Sequence, residues 1–347
     1  MASDSRHLAA LDGLRGLAVL IVILSHSSGR GMALAPWLNF SGIGHVGVYL
    51  FFVLSGYLLT NNLMEGQTLA QFYLRRIFRI VPLYFLVLTC VIAYQAFGYY
   101  SPRYLHISGG AEGALLHFLF LKGDGVFWTL AAEFSFYLLL PLIVHALKRF
   151  GWRWLVVASS IYFVAFLALE KFKIHVLPLK FVDIAHRSQF LDVFACGILA
   201  AYLPRTWSDK WVPNIFFGLL ALTLICVSSN FLGAQQPAYG LRWLSLFYGA
   251  VFGLAVVCAV EGGAPQMYWL GSPILAFIGK LGFGIYLLHF PVFQIVNVFV
   301  DSSPLIRLAV AMPFTVGVAW LAYQLIERPL IRFGRKLEGN LGTVRVQ

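Results

Sequence analysis

Apolar runs of about 20 residues follow one another down almost the whole of this 347-residue chain, and little charge falls inside them. A run of that length, wound as a helix, matches the hydrocarbon thickness of a bilayer. Only a helix or a closed barrel satisfies its own backbone polar groups where water is absent. Ten such runs are read near 10–27, 43–63, 77–97, 126–146, 152–169, 187–203, 212–230, 241–260, 280–300 and 305–326. A soluble fold is excluded by composition. Charged residues make up 11% of the chain and hydrophobic ones 60%, whereas a soluble domain carries about 25% charge to cover its surface. The expected fold is all-α: a polytopic transmembrane helical bundle of about ten spans.

An even number of spans puts both termini on one side. Of the 25 Lys and Arg, 16 fall on the side of the termini, which the positive-inside rule makes the cytoplasm. Lys171, Lys173, Lys180 and Arg187 crowd one outer loop and work against that bias. Residues 1–337 are read as the membrane domain and 338–347 as a cytoplasmic C-terminal tail. The net charge of +11 belongs to these loops; no basic stripe interleaved with aromatics accompanies it, so no nucleic-acid partner is expected. Arg6, an apolar run and Ala33-Leu34-Ala35 imitate a cleaved signal peptide, but Arg15 interrupts the run, so a retained first helix is expected. Cys90, Cys196, Cys226 and Cys258 lie in apolar stretches as small hydrophobes, and neither they nor the scattered histidines show metal-ligand spacing.

Ionisable groups at membrane depth are costly, so they face protein or water and are candidates for function. Arg15 and His26 lie eleven residues apart in the first helix, about three turns and ~16 Å along one face. His26 is either a proton acceptor or a helix-end histidine at the interface. Glu133 lies in the fourth span with Tyr137 one turn further on the same face. Buried there, its carboxyl must be protonated, hydrogen-bonded or paired, the pairing partner being either an imidazole or Arg15. Asp192 is paired most simply with Arg187. Arg75, Arg76 and Arg79 cluster at the cytoplasmic mouth of the third span. They are either a phosphate-chelating group or a topological anchor. Ser55 precedes Gly56 at a step that permits close approach or unwinding of the second helix. Tyr286 and His289 stand one turn apart before Pro291, as pocket or core residues.

Taken together these segments resemble the acyltransferase-3 family of membrane acyltransferases. The resemblance runs nearly the whole chain: Arg15 with ten residues before His26, FFVLSGYLL (51–59), RRIFRIVP (75–82), FWTLAAEFSFYLLLP (127–141), FGIYLLHFPV (283–292) and IERPL (326–330). One departure is Gly282-Phe-Gly-Ile-Tyr286, where many members carry a Ser before the aromatic residue. The chain's length is that of the family's membrane domain alone, so no appended extracytoplasmic domain is expected.

The resemblance implies transfer of an acyl group, commonly acetyl, from cytoplasmic acyl-CoA to a hydroxyl of a carbohydrate-containing acceptor beyond the membrane. It further implies a multi-pass protein of the bacterial inner membrane, with no permanently bound cofactor or metal and with lipids around it. On that reading His26 is the general base or an acyl-carrying nucleophile, Glu133 supports it, and Arg15 lines the route. Arg75, Arg76 and Arg79 hold the CoA phosphates, and the pantetheine arm spans the distance between. Ser55, Tyr137, Tyr286 and His289 line the pocket. The rival from another class is a transporter or flippase for a small molecule or lipid-linked sugar, since intramembrane Arg, His, Glu and Asp also build ion paths.

Overall fold

The fold is that of a computed structural model, which describes residues 2–35, 38–98, 106–171, 190–202, 211–233, 242–261 and 265–340. Among them every regular element is helical: α1 (Ala2–Ser28), α2 (Gly44–Met64), α3 (Leu69–Ala96), α4 (Gly110–Phe118), α5 (Trp128–Phe150) and α6 (Trp152–Lys171) in the first half. Then come α7 (Leu191–Tyr202), α8 (Val212–Gly233), α9 (Arg242–Glu261), α10 (Pro273–Lys280), α11 (Gly282–Phe299), α12 (Pro304–Ala322) and α13 (Arg328–Asn340). Six helical stretches are long and apolar enough to cross a membrane: Ala9–Ser28, Gly44–Met64, Leu69–Ala96, Gly125–Phe150, Gly282–Phe299 and Pro304–Gly339. Four shorter apolar helices, Trp152–Ala165, Leu191–Tyr202, Val212–Ile225 and Leu244–Val260, lie where the remaining spans are read. The basic loop around Lys180 and Arg187 lies outside the described residues, as do 341–347.

The outward faces explain the composition. Leu142, Val157, Ile161, Val164, Ile225 and Phe299 are exposed, while Thr60, Thr129, His289 and Thr315 are buried. Apolar outside with polar groups inside is stable only if the outside solvent is hydrocarbon.

The chain divides into two compact units, residues 1–59 with 192–318, and residues 60–191 with 319–347. In the first, α1 packs chiefly on α10, and glycines make the contact possible. A Cβ on Gly13 would strike the Leu270 carbonyl, one on Gly16 the Leu275 carbonyl, and one on Gly279 the Asp12 carbonyl. The Asp12-Gly-Leu-Arg-Gly16 segment is therefore a close-packing face as well as a carrier of Arg15. The Ser55-Gly56 step proves to be a close approach in an unbroken helix: Gly56 meets the Phe194 carbonyl of α7 and the Cα of Gly197. Phe52 stacks on Phe194 beside it, with ring centres 4.4 Å apart.

In the second unit, Thr68 and Gln71 close a reciprocal capping box that starts α3. The short helix α4 ends at Phe118, with the Leu119 N–H donating to the Leu115 carbonyl. Phe120 takes a left-handed φ of 56°, and its ring stacks on Phe134 at 4.3 Å and on Tyr84 at 4.7 Å. Below it a polar knot fixes the approach to α5. Asp124 Oδ2 accepts from the Ser108 N–H and Oγ–H, both at 2.8 Å. Lys122 Nζ donates to the Ser108 carbonyl and Oγ, and the Asp124 N–H donates to buried His117 Nε2. The last expected span also runs on beyond its predicted end. Residues Tyr323–Glu327 form a π-turn, with the Arg328 N–H donating to the Tyr323 carbonyl. Pro329 explains the widening: its ring crowds the carbonyl four residues back, and a longer turn moves that carbonyl aside. The helix then continues as α13, where Gly334 lies against the Phe78 ring of α3.

Two measurements check this packing. Gly16→Ala loses about 1–3 kcal/mol of stability in detergent, whereas Gly317→Ala, with open space around it, does not. Burial pushes the Asp124 carboxyl up, but the Ser108 donors and the Lys122 charge outweigh it and hold the group below its ordinary value. Its stabilisation is thus full above the unfolded carboxylate value and is lost as pH falls through the lower folded one. Thermal unfolding shows Asp124→Asn less stable than the parent at neutral pH by about 1–3 kcal/mol, with the gap closing below about pH 4.

Candidate active site

Within the first unit, α1 supplies His26 and α11 supplies Tyr286, His289 and Phe290. His26 Nδ1 lies 2.9 Å from His289 Nε2. His289 is fully buried, and its Nδ1 is 2.7 Å from the Tyr286 carbonyl oxygen. A carbonyl oxygen only accepts, so that nitrogen carries the hydrogen. In the uncharged ring, His289 Nε2 then holds a lone pair and accepts from His26 Nδ1–H. The same rule leaves His26 Nε2 as the basic nitrogen, the one that carries no hydrogen. The orientation of one imidazole is thus set by a chain that ends on a helix carbonyl.

Aromatic packing and a missing side chain complete the arrangement. The two imidazoles are within 5° of parallel, and Phe290 lies against both, 4.7 Å from His26 and 4.3 Å from His289. Gly44, the first residue of α2, faces the basic nitrogen: a Cβ there would come within 3.3 Å of His26 Nε2. Tyr286 is buried with its ring centre 6.0 Å from that of His289. Arg15 donates from Nη1 to Asp12 Oδ1 at 2.7 Å, one turn earlier in the same helix. Ser55 is half-buried on α2, next to the tight crossing at Gly56.

The second unit gathers the remaining candidates. Tyr137 is buried and donates from its hydroxyl to Glu133 Oε2 at 2.9 Å. Arg76 and Arg79 lie close enough for their charges to act on the Tyr137 hydroxyl. Arg79 also faces the charge of Glu327, a buried carboxylate on the π-turn. Arg75 makes a two-pronged contact with Glu338 of α13, Nε to Oε2 at 3.0 Å and Nη2 to Oε1 at 2.5 Å. The three arginines therefore differ. One is tied to the last helix, while two stand in a cluster of acidic and phenolic groups.

His26 and His289 come together, as do Glu133 and Tyr137, and Arg76 and Arg79. His289 gives His26 an orienting contact, and Glu133 accepts from the Tyr137 hydroxyl. Three residues without an assigned role also enter: Asp12, Arg30 and Glu327. The Arg30 guanidinium lies over the same Phe290 ring, 4.5 Å from its centre. Asp12 was legible as an i,i+3 partner of Arg15. Glu327 was legible only as a carboxylate inside the closing motif.

The sequence pattern of the acyltransferase-3 family, described as an acyltransferase domain, matches residues 8–324. Among curated proteins, the chain is similar to a peptidoglycan O-acetyltransferase, OatA, of Listeria monocytogenes. The two are 26% identical over 369 residues, covering 95% of this chain and 56% of that protein. It is likewise 26% identical over 370 residues to an O-acetyltransferase, OatA, of Staphylococcus aureus, covering 95% and 58%. The chain thus spans a little over half the length of these relatives. No solved structure gives a significant match. With its motifs in order from α1 to the π-turn and the family pattern matched over 8–324, the chain belongs to the acyltransferase-3 family.

Proposed function

We propose that this protein is a multi-pass membrane O-acyltransferase. It moves an acyl group, commonly acetyl, from cytoplasmic acyl-CoA to a hydroxyl of a carbohydrate acceptor on the far side. Ten spans, both termini in the cytoplasm and residence in a bacterial inner membrane complete the proposal. The observation that carries it is the 2.9 Å contact between His26 Nδ1 and His289 Nε2, because it turns His26 Nε2 into an oriented base. The relatives' names support an O-acetyl product, and one of them specifies peptidoglycan as its substrate.

The step balances without a further reactant. His26 Nε2 takes the acceptor hydroxyl proton as the oxygen attacks the thioester carbonyl. The C–O bond forms, the C–S bond breaks, and the proton passes from His26 to the departing CoA thiolate. His289 holds the imidazole ring and spreads the positive charge that appears on it, as an orienting group does in other acid–base pairs. Arg76 and Arg79 hold donor phosphates; Arg75 joins them when it exchanges Glu338 for phosphate. Glu133 keeps Tyr137 in place within that cluster, and Arg15, fixed by Asp12, contributes charge along the donor's route.

Purified protein supplied with acetyl-CoA and a glycan acceptor releases free CoA thiol, which a transporter does not. His26→Gln reduces that release about 10³-fold or more. His289→Leu lowers it about 10²-fold, and His289→Asn, whose Oδ1 accepts from His26 Nδ1–H, recovers part of the loss. Equal activity of His289→Leu and the parent removes His289 from the reaction. Removing the charge of Arg76 or Arg79 weakens acyl-CoA binding about 10- to 100-fold each, and added salt weakens binding to the parent. Unchanged affinity makes those arginines topological anchors.

A further inference from the structure

At the far end of α1 from Arg15, the chain builds a cationic corner beside His26. Arg30 lies one turn beyond His26, and its guanidinium covers the Phe290 ring that also packs on His26 and His289. Its charge is close enough to act on both imidazoles. The backbone beneath it is clamped from two helices. Asn297 of α11 donates from Nδ2 to the Arg30 carbonyl at 3.4 Å. Arg307 of α12 donates from Nη2 to the Gly31 carbonyl at 3.0 Å and from Nη1 to Asn297 Oδ1 at 3.1 Å. Gly31 takes a left-handed φ of 73°, the conformation that lets the chain turn there at low cost. The Arg30 guanidinium is therefore presented over the ring that packs on His26, and Arg307 holds the backbone just beyond it.

A helix end at an interface needs no such clamp to place a cation. A cation beside a general base also opposes the imidazolium that the base must become as it takes a proton. An anionic group seated against the cation offsets that opposition when the charge develops. We propose that the acceptor is an acidic saccharide, and that Arg30, presented by the Asn297–Arg307 clamp, pairs with an anionic group on it while His26 takes the proton of a nearby hydroxyl. This rests on the acyltransferase reading for the role of His26. It adds the substrate class and two specificity residues, Arg30 as the contact and Arg307 as the positioning residue.

Binding is measured without donor, so the result stands apart from catalysis. The probes are a uronic-acid-containing tetrasaccharide and the same tetrasaccharide with its carboxylates capped as methylamides, each added to the detergent-purified protein. The parent binds the acidic form about tenfold or more tightly than the capped one. Arg30→Gln removes most of that preference, Arg30→Lys keeps part of it, and Arg307→Gln reduces it through loss of the clamp. A sulfated or phosphorylated tetrasaccharide preferred over the uronate assigns the anionic group to that chemistry instead. A parent that binds charged and capped saccharides alike overturns the proposal. So does an Arg30→Gln protein that keeps the full preference. Absence of thiol release from a protein that still discriminates the two saccharides counts against the acyltransferase reading alone.

Discussion

Two imidazoles in a low-dielectric interior must each find hydrogen-bond partners, and here they find them in one another. His289 donates to a carbonyl of its own helix and offers its other nitrogen to His26. That offer is directional. It fixes which nitrogen of His26 carries hydrogen and which does not. The close packing of α1 on α10, and Gly44 at the head of α2, serve the same end: they place His26 and leave space beside its basic nitrogen.

Charge in the second unit is handled in another way. Its arginines are not left to lipid. Arg75 is bound by Glu338, and Arg76 and Arg79 stand among Tyr137, Glu133 and Glu327. Such a cluster has unequal members. An arginine already engaged by a carboxylate must exchange that partner for phosphate at some cost, as Arg75 must leave Glu338. The amphipathic helix α13 is drawn into the same cluster by a π-turn whose cause is local, the proline at 329.

The helical class was legible because apolar length is a one-dimensional property. The stretches at 10–27, 43–63, 77–97 and 126–146 fall on long helices, and several later ones fall on shorter helices. Gly56 was legible as a packing position because a glycine inside an apolar helix has few other uses. The pairing of His26 with His289 was not, since the two residues are 263 positions apart and no periodicity links them. Glu133 and Tyr137 were legible as a pair because residues one turn apart share a helix face, and the tyrosine hydroxyl does donate to the carboxylate. Arg30 was hidden for a different reason. As one basic residue in a short loop it reads as a topological charge, and only its place over Phe290 gives it a further meaning.

Everything turns on His26 carrying its hydrogen on Nδ1 and none on Nε2. Nitrogen-15 NMR of the histidine-labelled protein in a bilayer, assigned by comparison with His26→Gln and His289→Asn, reads this directly. The expected spectrum shows an uncharged His26 with a protonated Nδ1, an unprotonated Nε2, and a coupling through the hydrogen bond to His289 Nε2. A His26 ring protonated on Nε2 instead, with no signal of contact to His289, contradicts it.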